Sequence, residues 1–288
     1  MYFKYDERRG YYVVMRNFVF NVSEKIDECS GTKAIELAKL KNMGINVPRF
    51  WAVNYDEYER FTTAFSIISV ENFLNCPDYD PSIENVINSL NSCLTTTLVI
   101  DPNVKLIARS SSLPTEEHNN YASMISGAFE SYECNCTTLA KSIASVYASL
   151  YSEKSFYQLK LAKLESGIKG MAVLVQEYIE PECSGVLHVF LDKPYMELNW
   201  VKGHLRSIVS GNTSGDYDQM YEENGEIIVK GKEQHIYCIM ENNFHYAFTE
   251  LFREAKIIQA YKATDLEIEW LYRDKKIYIV QCQELIDI

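Results

Sequence analysis

Near its end the chain runs Asp265-Leu-Glu-Ile-Glu-Trp-Leu-Tyr-Arg-Asp-Lys-Lys-Ile-Tyr-Ile-Val-Gln-Cys-Gln283. Apolar and polar side chains alternate on both sides of a short charged turn, which is typical of a β-hairpin. If residues 274–276 form the turn, Glu269 lies opposite Gln281 and Glu267 lies opposite Gln283 on one face. The apolar residues should then point into a core on the other face; they are Leu266, Ile268, Trp270, Val280 and Cys282.

A carboxylate opposite a carboxamide has two explanations. Mg²⁺ prefers oxygen ligands and is usually held by one or two carboxylates together with substrate phosphates. A hairpin whose polar face is simply solvated gives the same pattern without any ligand. The hairpin alone leaves both open, so the rest of the chain has to decide.

Composition excludes several classes of protein. The 288 residues suffice for one large domain or two subdomains, and the net charge of -12 without a Lys/Arg stripe argues against nucleic acid. The eight cysteines are dispersed and have no metal-ligand spacing, as expected of reduced thiols. A charged start and the lack of an apolar run of about 18 residues argue against a signal peptide or a membrane span. We therefore expect a cytoplasmic protein.

Local patterns predict an α+β protein of helices and buried strands followed by a strand-rich half. The predicted helices cover residues 32–44, 56–68, 82–98, 138–157 and 242–261. The predicted strands cover residues 11–22, 50–53, 104–109, 170–180, 185–190, 205–209 and 226–229, and the closing hairpin follows them.

Three further stretches carry groups that suit a nucleotide, although each also has an ordinary structural explanation. Gly31-Thr-Lys-Ala34 places backbone N–H groups and Lys33 at a helix start, which favours an anion but is also common. Arg109 is the last residue of a predicted buried strand, and a predicted polar loop over 110–126 follows it. Its guanidinium could bind two phosphate oxygens or form an ion pair with Glu116. The exit of another strand at 175–179 offers backbone groups to an adenine edge, or is only a strand-to-loop connection.

The order of the short motifs is more informative than any one of them. They are Gly31-Thr-Lys-Ala34, Gly44-Ile-Asn-Val-Pro-Arg-Phe50, Ala108-Arg-Ser-Ser111, Ser126-Gly127 with Phe129-Glu-Ser-Tyr132, Val175-Gln176 with Ser184-Gly-Val186, Val209-Ser-Gly211, and Ile268-Glu-Trp270 with Tyr278-Ile-Val-Gln281. Over residues 31–284 this order resembles the nucleotide-binding domain of the phosphoenolpyruvate synthase and pyruvate phosphate dikinase family. The resemblance implies an ATP-grasp fold of two subdomains, 1–176 and 177–288, with the nucleotide in the cleft between them.

The resemblance also implies residue roles. Lys33 and Arg109 would contact the ATP phosphates as the catalytic cations, and residues 110–127 would cover the triphosphate. Glu269 and Gln281 would hold Mg²⁺, with Glu267 standing where the family has Asp. The full set of implied ATP-binding residues is Lys33, Arg109, Ser110, Gly127, Gln176, Glu177, Tyr178, Ile179, Glu267, Glu269 and Gln281.

The chain also departs from the family pattern. Gln283 stands where the family has an Arg, and Arg206 stands where it has a Glu. Thr32 and Arg49 replace a glycine and a proline, and the phosphate-covering loop is longer. The glycine-rich carrier-histidine motif TxGGxxxH is absent from the sequence, so the phosphate acceptor would have to lie outside this chain.

These expectations define an ATP-dependent kinase or phosphotransferase that uses Mg-ATP. Its acceptor would be a separate phosphohistidine carrier protein or a small molecule, and AMP and ADP both stay open as products. One alternative is a non-catalytic nucleotide-binding or interaction module of the same fold. Another, which does not use the resemblance, is an α+β protein with a polar hairpin and no nucleotide.

Overall fold

The computed structural model describes residues 2–6, 11–15, 22–23, 25–64, 91, 94, 101, 103–114, 129–161, 168–204, 215–231 and 244–285. Backbone contacts divide the chain into two units. The first is Met1–Ile35 with Arg49–Tyr178, and the second is Glu36–Pro48 with Ile179–Ile288. The segment Glu36–Pro48 thus belongs with the C-terminal part of the chain, which a single cut in the sequence does not anticipate.

The first unit is built on a five-stranded antiparallel sheet. Its described strands are β1 (Tyr2–Asp6), β2 (Tyr11–Met15), β3 (Val22–Ser23), β4 (Phe50–Val53), β5 (Leu106–Pro114), β6 (Ser131–Cys134) and β7 (Ile168–Glu177). The sheet order is β3-β4-β7-β5-β6, and β1 and β2 form a separate antiparallel pair. Its described helices are α1 (Thr32–Asn42), which continues into the second unit, α2 (Tyr55–Ala64), α3 (Leu139–Ser149) and α4 (Glu153–Leu161).

Aromatic packing explains how α2 lies on this sheet. Tyr55 lies over Gly170 of β7, where an added Cβ would come within 2.2 Å of the tyrosine ring. Tyr58 and Phe61, about one turn apart, both pack against the buried ring of Tyr147 in α3. Aromatic residues on one side of α2 therefore fix it against β7 and α3, which is the spacing expected of an amphipathic helix.

The second unit is built on a six-stranded antiparallel sheet. Its described strands are β8 (Cys183–Val189), β9 (Met196–Lys202), β10 (Asp216–Glu223), β11 (Glu226–Gly231), β12 (Leu266–Arg273) and β13 (Lys276–Glu284), in the order β11-β10-β9-β8-β12-β13. The long helix α5 (Phe244–Lys262) packs against β11, β12 and β13. Phe248 of α5 contacts Trp200 and Trp270 edge to face, so these ring contacts join the helix to the sheet.

The closing hairpin has the predicted pairing. Glu267 pairs with Gln283 and Glu269 pairs with Gln281. The predicted turn was one residue too long, because only Asp274 and Lys275 form it. Both have positive φ, 49° and 60°, as a two-residue hairpin turn of the type that matches strand twist requires.

A β-bulge reconciles the shorter turn with the predicted pairs. The register shifts between Glu269 and Trp270, which leaves Val280 as the extra residue of β13. Ile277 and Ile279 face the core before the shift and Cys282 faces it afterwards. The prediction that Val280 joins the core was therefore wrong, since it is only half-buried. One extra residue is what keeps all three core residues on one face.

Two other predicted boundaries were wrong. Strand β5 does not end at Arg109 but continues to Pro114, so the serines expected in a loop are strand residues. The helix predicted over 138–157 is two helices, because Ser152 accepts a hydrogen bond from the Ser155 amide and begins α4 as its cap. The strand predicted over 205–209 lies outside the described residues, and of the helix predicted over 82–98 only Asn91 and Leu94 are described, both helical.

Candidate functional site

In the first unit, the start of α1 lies directly on β5. Gly31 has φ 78°, and a Cβ at this position would come within 2.2 Å of the Ser111 carbonyl oxygen. The Ala34 amide donates to Ser111 Oγ at 3.3 Å, and Thr32 Oγ1 donates to the Ser112 carbonyl at 3.4 Å. Only glycine fits this approach, and the close contact joins the helix start to the strand.

This contact changes the predicted anion site at the helix start. Ser111 already satisfies one of the N–H groups that the first turn of a helix leaves without a partner. Lys33 Nζ donates to Ser110 Oγ at 3.4 Å, which holds the lysine over β5. The structure therefore brings two predicted site residues together, and the side chain of Ser110 is 99% buried beneath the lysine.

Arg109 and Gln176 share one face of the five-stranded sheet. Gln176 of β7 pairs with Ile107 of β5, and Arg109 lies two residues further along the same strand. Side chains two residues apart point to the same face. Gln176 is only 2% exposed, and its Nε2 has no hydrogen-bond partner among the described residues. A buried donor without a partner costs about 1–3 kcal/mol, which a ligand acceptor would recover.

Two backbone N–H groups of the predicted adenine-binding segment already have hydrogen-bond partners in the first unit. The Glu177 amide donates to the Arg49 carbonyl at 2.8 Å, and the Tyr178 amide donates to the Lys105 carbonyl at 2.9 Å. These two N–H groups are therefore occupied, and Lys105 Nζ lies 5.6 Å from the centroid of the Tyr178 ring. Ile179, the last of the predicted residues, belongs to the second unit.

In the second unit, the hairpin contributes to a continuous polar face of the six-stranded sheet. One row across the strands contains Glu197, His188, Glu267 and Gln283, each paired with the next. The adjacent row contains Asn199, Val186, Glu269 and Gln281. The opposite face of the same strands packs on α5, so the alternation in the sequence separates a core face from a face that carries acids and amides.

A chain of hydrogen bonds connects four side chains of this face. Gln281 Nε2 donates to Gln283 Oε1 at 3.0 Å, and Gln283 Nε2 donates to Glu267 Oε1 at 2.5 Å. The other Glu267 oxygen lies 3.2 Å from His188 Nε2. Because a carboxylate only accepts, His188 Nε2 carries the hydrogen in this contact. We call this chain of Gln281, Gln283, Glu267 and His188 the carboxamide relay.

Glu269 and Gln281 form the donor set that fits a divalent cation. They pair directly across β12 and β13, and their oxygens are the hard ligands that Mg²⁺ prefers. Gln281 is buried, with 5% exposure, while Glu269 is half-buried. Among the described residues, no group of three or more His, Cys, Asp or Glu side chains forms a metal site. Two protein oxygens leave further coordination positions of Mg²⁺ for other groups, such as substrate phosphates.

The sequence did not predict a role for His188, because no other histidine lies at a metal-ligand spacing from it along the chain. The alternation of β8 carries the signal, since His188 follows Val186 at the strand period on the polar face. Recognising it requires knowing that β8 lies beside β12. Of the other predicted residues, Gly127 and Arg206 lie outside the described part of the chain.

Three buried cysteines of the described residues are poor nucleophiles. Burial raises the pKa of Cys134, Cys183 and Cys282 to about 12, which keeps these thiols protonated at neutral pH. The close pair of Cys134 and Cys136 forms no disulfide. Nucleophilic catalysis by these residues is therefore not part of the site.

Comparison with known families identifies the class of protein. The model of the pyruvate phosphate dikinase AMP/ATP-binding domain matches residues 69–286, which is well over half of the chain. The fold and this match define an α+β nucleotide-binding protein of the ATP-grasp class. The chain belongs to the family of pyruvate phosphate dikinase AMP/ATP-binding domains. The match begins after Lys33 and covers Arg109, Gln176 and the closing hairpin.

The chain also has distant similarity to solved structures. D-alanyl-alanine synthetase A from Vibrio cholerae is 8% identical, with 88% of this chain and 55% of that chain covered and a TM-score of 0.38. PH1788 from Pyrococcus horikoshii is 9% identical, with 88% and 90% covered and a TM-score of 0.35. D-alanine–D-alanine ligase from Bacillus anthracis complexed with ATP is 10% identical, with 89% and 55% covered and a TM-score of 0.32.

The chain spans about half the length of the ligase structures that it matches. No curated protein matches its sequence. None of the described helices has the length and apolar character needed to cross a membrane.

Proposed function

We propose that this chain binds ATP together with Mg²⁺ and transfers a phosphate to an acceptor that the chain does not itself contain. The observation that carries the proposal is the pairing of Glu269 with Gln281 across β12 and β13 on the polar face. Membership of an AMP/ATP-binding domain family supports a nucleotide as the ligand, and this pair offers oxygen ligands for the metal that accompanies it.

The residues of the first unit are assigned to the nucleotide. Lys33 and Arg109 are the cations for the phosphate oxygens, with Ser110 holding Lys33 in place. Gln176 offers its buried Nε2 as a donor to a ring nitrogen of adenine. Gly127 and the side chains and carbonyl oxygens at 177–179 complete the assigned set. Phosphoryl transfer depends mostly on positioning and on neutralising the charge that develops, and these groups supply both.

The residues of the second unit are assigned to the metal. Glu269 would provide one carboxylate oxygen and Gln281 one amide oxygen, so the pair carries a single negative charge. A bound Mg²⁺ would neutralise the phosphates and polarise the bond to the transferred group. With only one protein carboxylate among its ligands, the metal keeps enough positive charge to attract a polyphosphate.

The acceptor is either a histidine on a separate carrier protein or a small molecule. The experiment is to incubate the purified chain with Mg-ATP, with and without candidate acceptors, and to separate the nucleotides that form. AMP would indicate the chemistry of the dikinase family, and ADP would indicate a simpler kinase. If the wild-type chain binds no ATP at millimolar concentration with Mg²⁺, the proposal is wrong.

The metal assignment has its own test. Glu269→Gln should remove most of the Mg²⁺ dependence of ATP binding, measured by calorimetry with Mg²⁺ and with EDTA. Glu226→Gln is the matched control, because it removes one exposed acid from β11 of the same sheet. Equal metal dependence in the two variants would contradict the role of Glu269.

One observation favours a second candidate, a non-catalytic nucleotide-binding module. Gln283 stands where the resemblance expects an arginine, and its side chain is engaged with Gln281 and Glu267. A phosphate clamp that lacks one cation would still bind ATP but would stabilise the transition state less. ATP binding without release of AMP or ADP, in the presence of either acceptor type, would favour this candidate.

A further inference from the structure

Gln283 and Glu267 lie beside the proposed metal pair, yet their polar groups are already used by other side chains. Both oxygens of Glu267 are engaged, one by Gln283 Nε2 and the other by His188 Nε2. Gln283 is engaged at both its amide oxygen and its amide nitrogen. Side chains engaged in this way are poor direct ligands, because binding a cation or phosphate would first break these contacts.

The direction of the hydrogen bonds in the carboxamide relay follows from its two ends. Glu267 can only accept hydrogen bonds, so Gln283 must turn its NH₂ group toward it. That leaves Gln283 Oε1 facing Gln281, which must then turn its own NH₂ group toward Gln283. The Gln281 amide oxygen is consequently directed away from Gln283. A flipped Gln281 would present hydrogens to a cation instead of an oxygen.

We propose that Gln283, Glu267 and His188 are positioning residues that fix the orientation of the Gln281 amide, so that its NH₂ group faces Gln283 and its oxygen, the atom assigned to the metal, faces away from the relay. This inference rests on the proposed function for its purpose, but the orientation itself is a property of the free chain. Hydrogen bonds from a second layer of side chains commonly orient metal ligands and fix which atom faces the metal. His188 anchors the far end of the relay from β8, the strand beside β12.

The relay also gives the glutamine at 283 a specific purpose. An arginine at this position, as the resemblance expects, has five donors and no acceptor. It would pair with Glu267 but would leave the Gln281 NH₂ group without an acceptor at that position. Only a side chain that donates and accepts can transmit the orientation from Glu267 to Gln281, and a carboxamide does both.

The first arm of the test measures binding of a non-hydrolysable ATP analogue by calorimetry, with Mg²⁺ and with EDTA. The ratio of the two dissociation constants is the metal dependence. We expect Gln283→Met to reduce this ratio about 10-fold, within the range of about 10- to 100-fold seen for such supporting residues, and to leave the EDTA value within about twofold. Glu267→Leu should act similarly, and Glu267→Gln, which keeps an acceptor oxygen, should restore most of the ratio.

Gln219→Met is the matched control. Gln219 is also a half-buried glutamine of the same sheet, but it lies on β10 opposite Glu197, away from the hairpin. Its substitution should leave the metal dependence unchanged. If Gln281→Met removes the metal dependence while Gln283→Met matches Gln219→Met, the positioning role is overturned and the metal role of Gln281 stands.

The second arm does not depend on ATP binding. In the free chain, the Gln281 Nε2 hydrogen that bonds Gln283 should exchange slowly with solvent and have an NMR chemical shift displaced from that of a mobile glutamine. Gln283→Met should bring its exchange rate and chemical shift to those of a mobile glutamine, and His188→Phe should do so partially. Unchanged Gln281 signals in both variants would overturn the inference. A wild-type chain that binds no nucleotide would refute the proposed function, and this arm would still decide on the relay.

Discussion

The serines of β5 and the glutamines of β13 are both polar runs in otherwise buried strands, but the fold uses them differently. Ser111 lies against the start of α1 and bonds its backbone, so it belongs to the packing of the first unit. Gln281 and Gln283 bond each other and a neighbouring strand along the polar face of the second sheet. The short hydroxyl of Ser111 reaches the backbone packed directly against it, whereas the longer carboxamide of Gln283 reaches Glu267 on the next strand. Side-chain length therefore separates a structural polar run from a candidate ligand set.

The largest effect should come from breaking the contact between β5 and α1. Gly31→Ala places a Cβ 2.2 Å from the Ser111 carbonyl oxygen and forces a side chain into a positive-φ conformation. We expect a loss of roughly 2–4 kcal/mol in the free energy of unfolding, measured by urea denaturation.

Gly44→Ala is the control that separates strain from contact. Gly44 also has positive φ, 83°, but a Cβ there meets nothing within 4 Å. Only the backbone strain remains, so the loss should be about 1 kcal/mol. Equal losses at the two glycines would mean that the approach to Ser111 contributes nothing to stability.

A buried acid in the second unit gives a contrast to Glu267, whose oxygens are both partnered. Glu254 of α5 is 6% exposed, its Oε2 has no hydrogen-bond partner among the described residues, and burial followed by the charge of Glu250 raises its pKa to about 7. The unfolded chain binds its proton less tightly, near 4.5. Stability from this group is therefore full below about pH 4.5 and declines as the pH rises toward 7.

Glu254→Gln should remove that decline. We expect the variant to be more stable than the wild type by roughly 1–3 kcal/mol at pH 8 and to differ little at pH 4.5, measured by chemical denaturation across pH. Glu250→Gln, which neutralises the more exposed neighbour, should give a smaller gain. A gain that does not change with pH would show that the charge of Glu254 is not its cause.

The ion pair of Glu36 with Lys262 tests how α1 is attached within the second unit. Burial acts to raise the pKa of Glu36, but the hydrogen bonds and charges of Lys262 and Lys39 hold it below its usual value. This contribution is present above the unfolded pKa and is lost as the pH falls through the folded pKa. Lys262→Met should cost about 1–2 kcal/mol at pH 7 and less at pH 3. Lys39→Met removes the more exposed lysine partner of Glu36 and serves as the comparison. If Lys262→Met costs the same at pH 7 and at pH 3, the stabilising role of the ion pair is contradicted.

The smallest effect should come from the serine hydroxyl itself. Ser111→Ala removes the acceptor of the Ala34 amide and should cost about 1 kcal/mol, the usual loss for a helix cap, in urea denaturation. Ser112→Ala is the matched control, since Thr32 bonds the backbone carbonyl of Ser112 rather than its side chain. A smaller loss at Ser111 than at Ser112 would contradict the capping role.

The sequence predicted the pairs of the closing hairpin because alternation is a local signal. Glu267, Glu269, Gln281 and Gln283 lie opposite each other as expected. The position of the extra residue was missed, since the sequence pattern allows it at the turn or at Val280. The apolar spacing of Ile277, Ile279 and Cys282 contains the answer, because the shift from odd to even positions requires a bulge between them.

The serines of β5 were predicted as loop because polar residues usually end a buried strand. Their true environment depends on Gly31 and Ala34, about 80 residues earlier in the chain, and that contact is not visible in a local pattern. His188 was missed for the same reason, since its partner Glu267 lies on a strand 79 residues away. Local patterns predicted elements and faces, while the partners across elements came only from the fold.

The bulge at Val280 has a consequence for sequence length. Deleting this one residue would make the hairpin regular. Glu269 would still lie opposite Gln281, and Glu267 opposite Gln283, because the two strands would then have equal numbers of residues between the turn and each of these pairs. The hairpin can therefore lose one residue at this position and keep every pair of the polar face. In related sequences, we expect single-residue gaps in this hairpin to fall at the position of Val280.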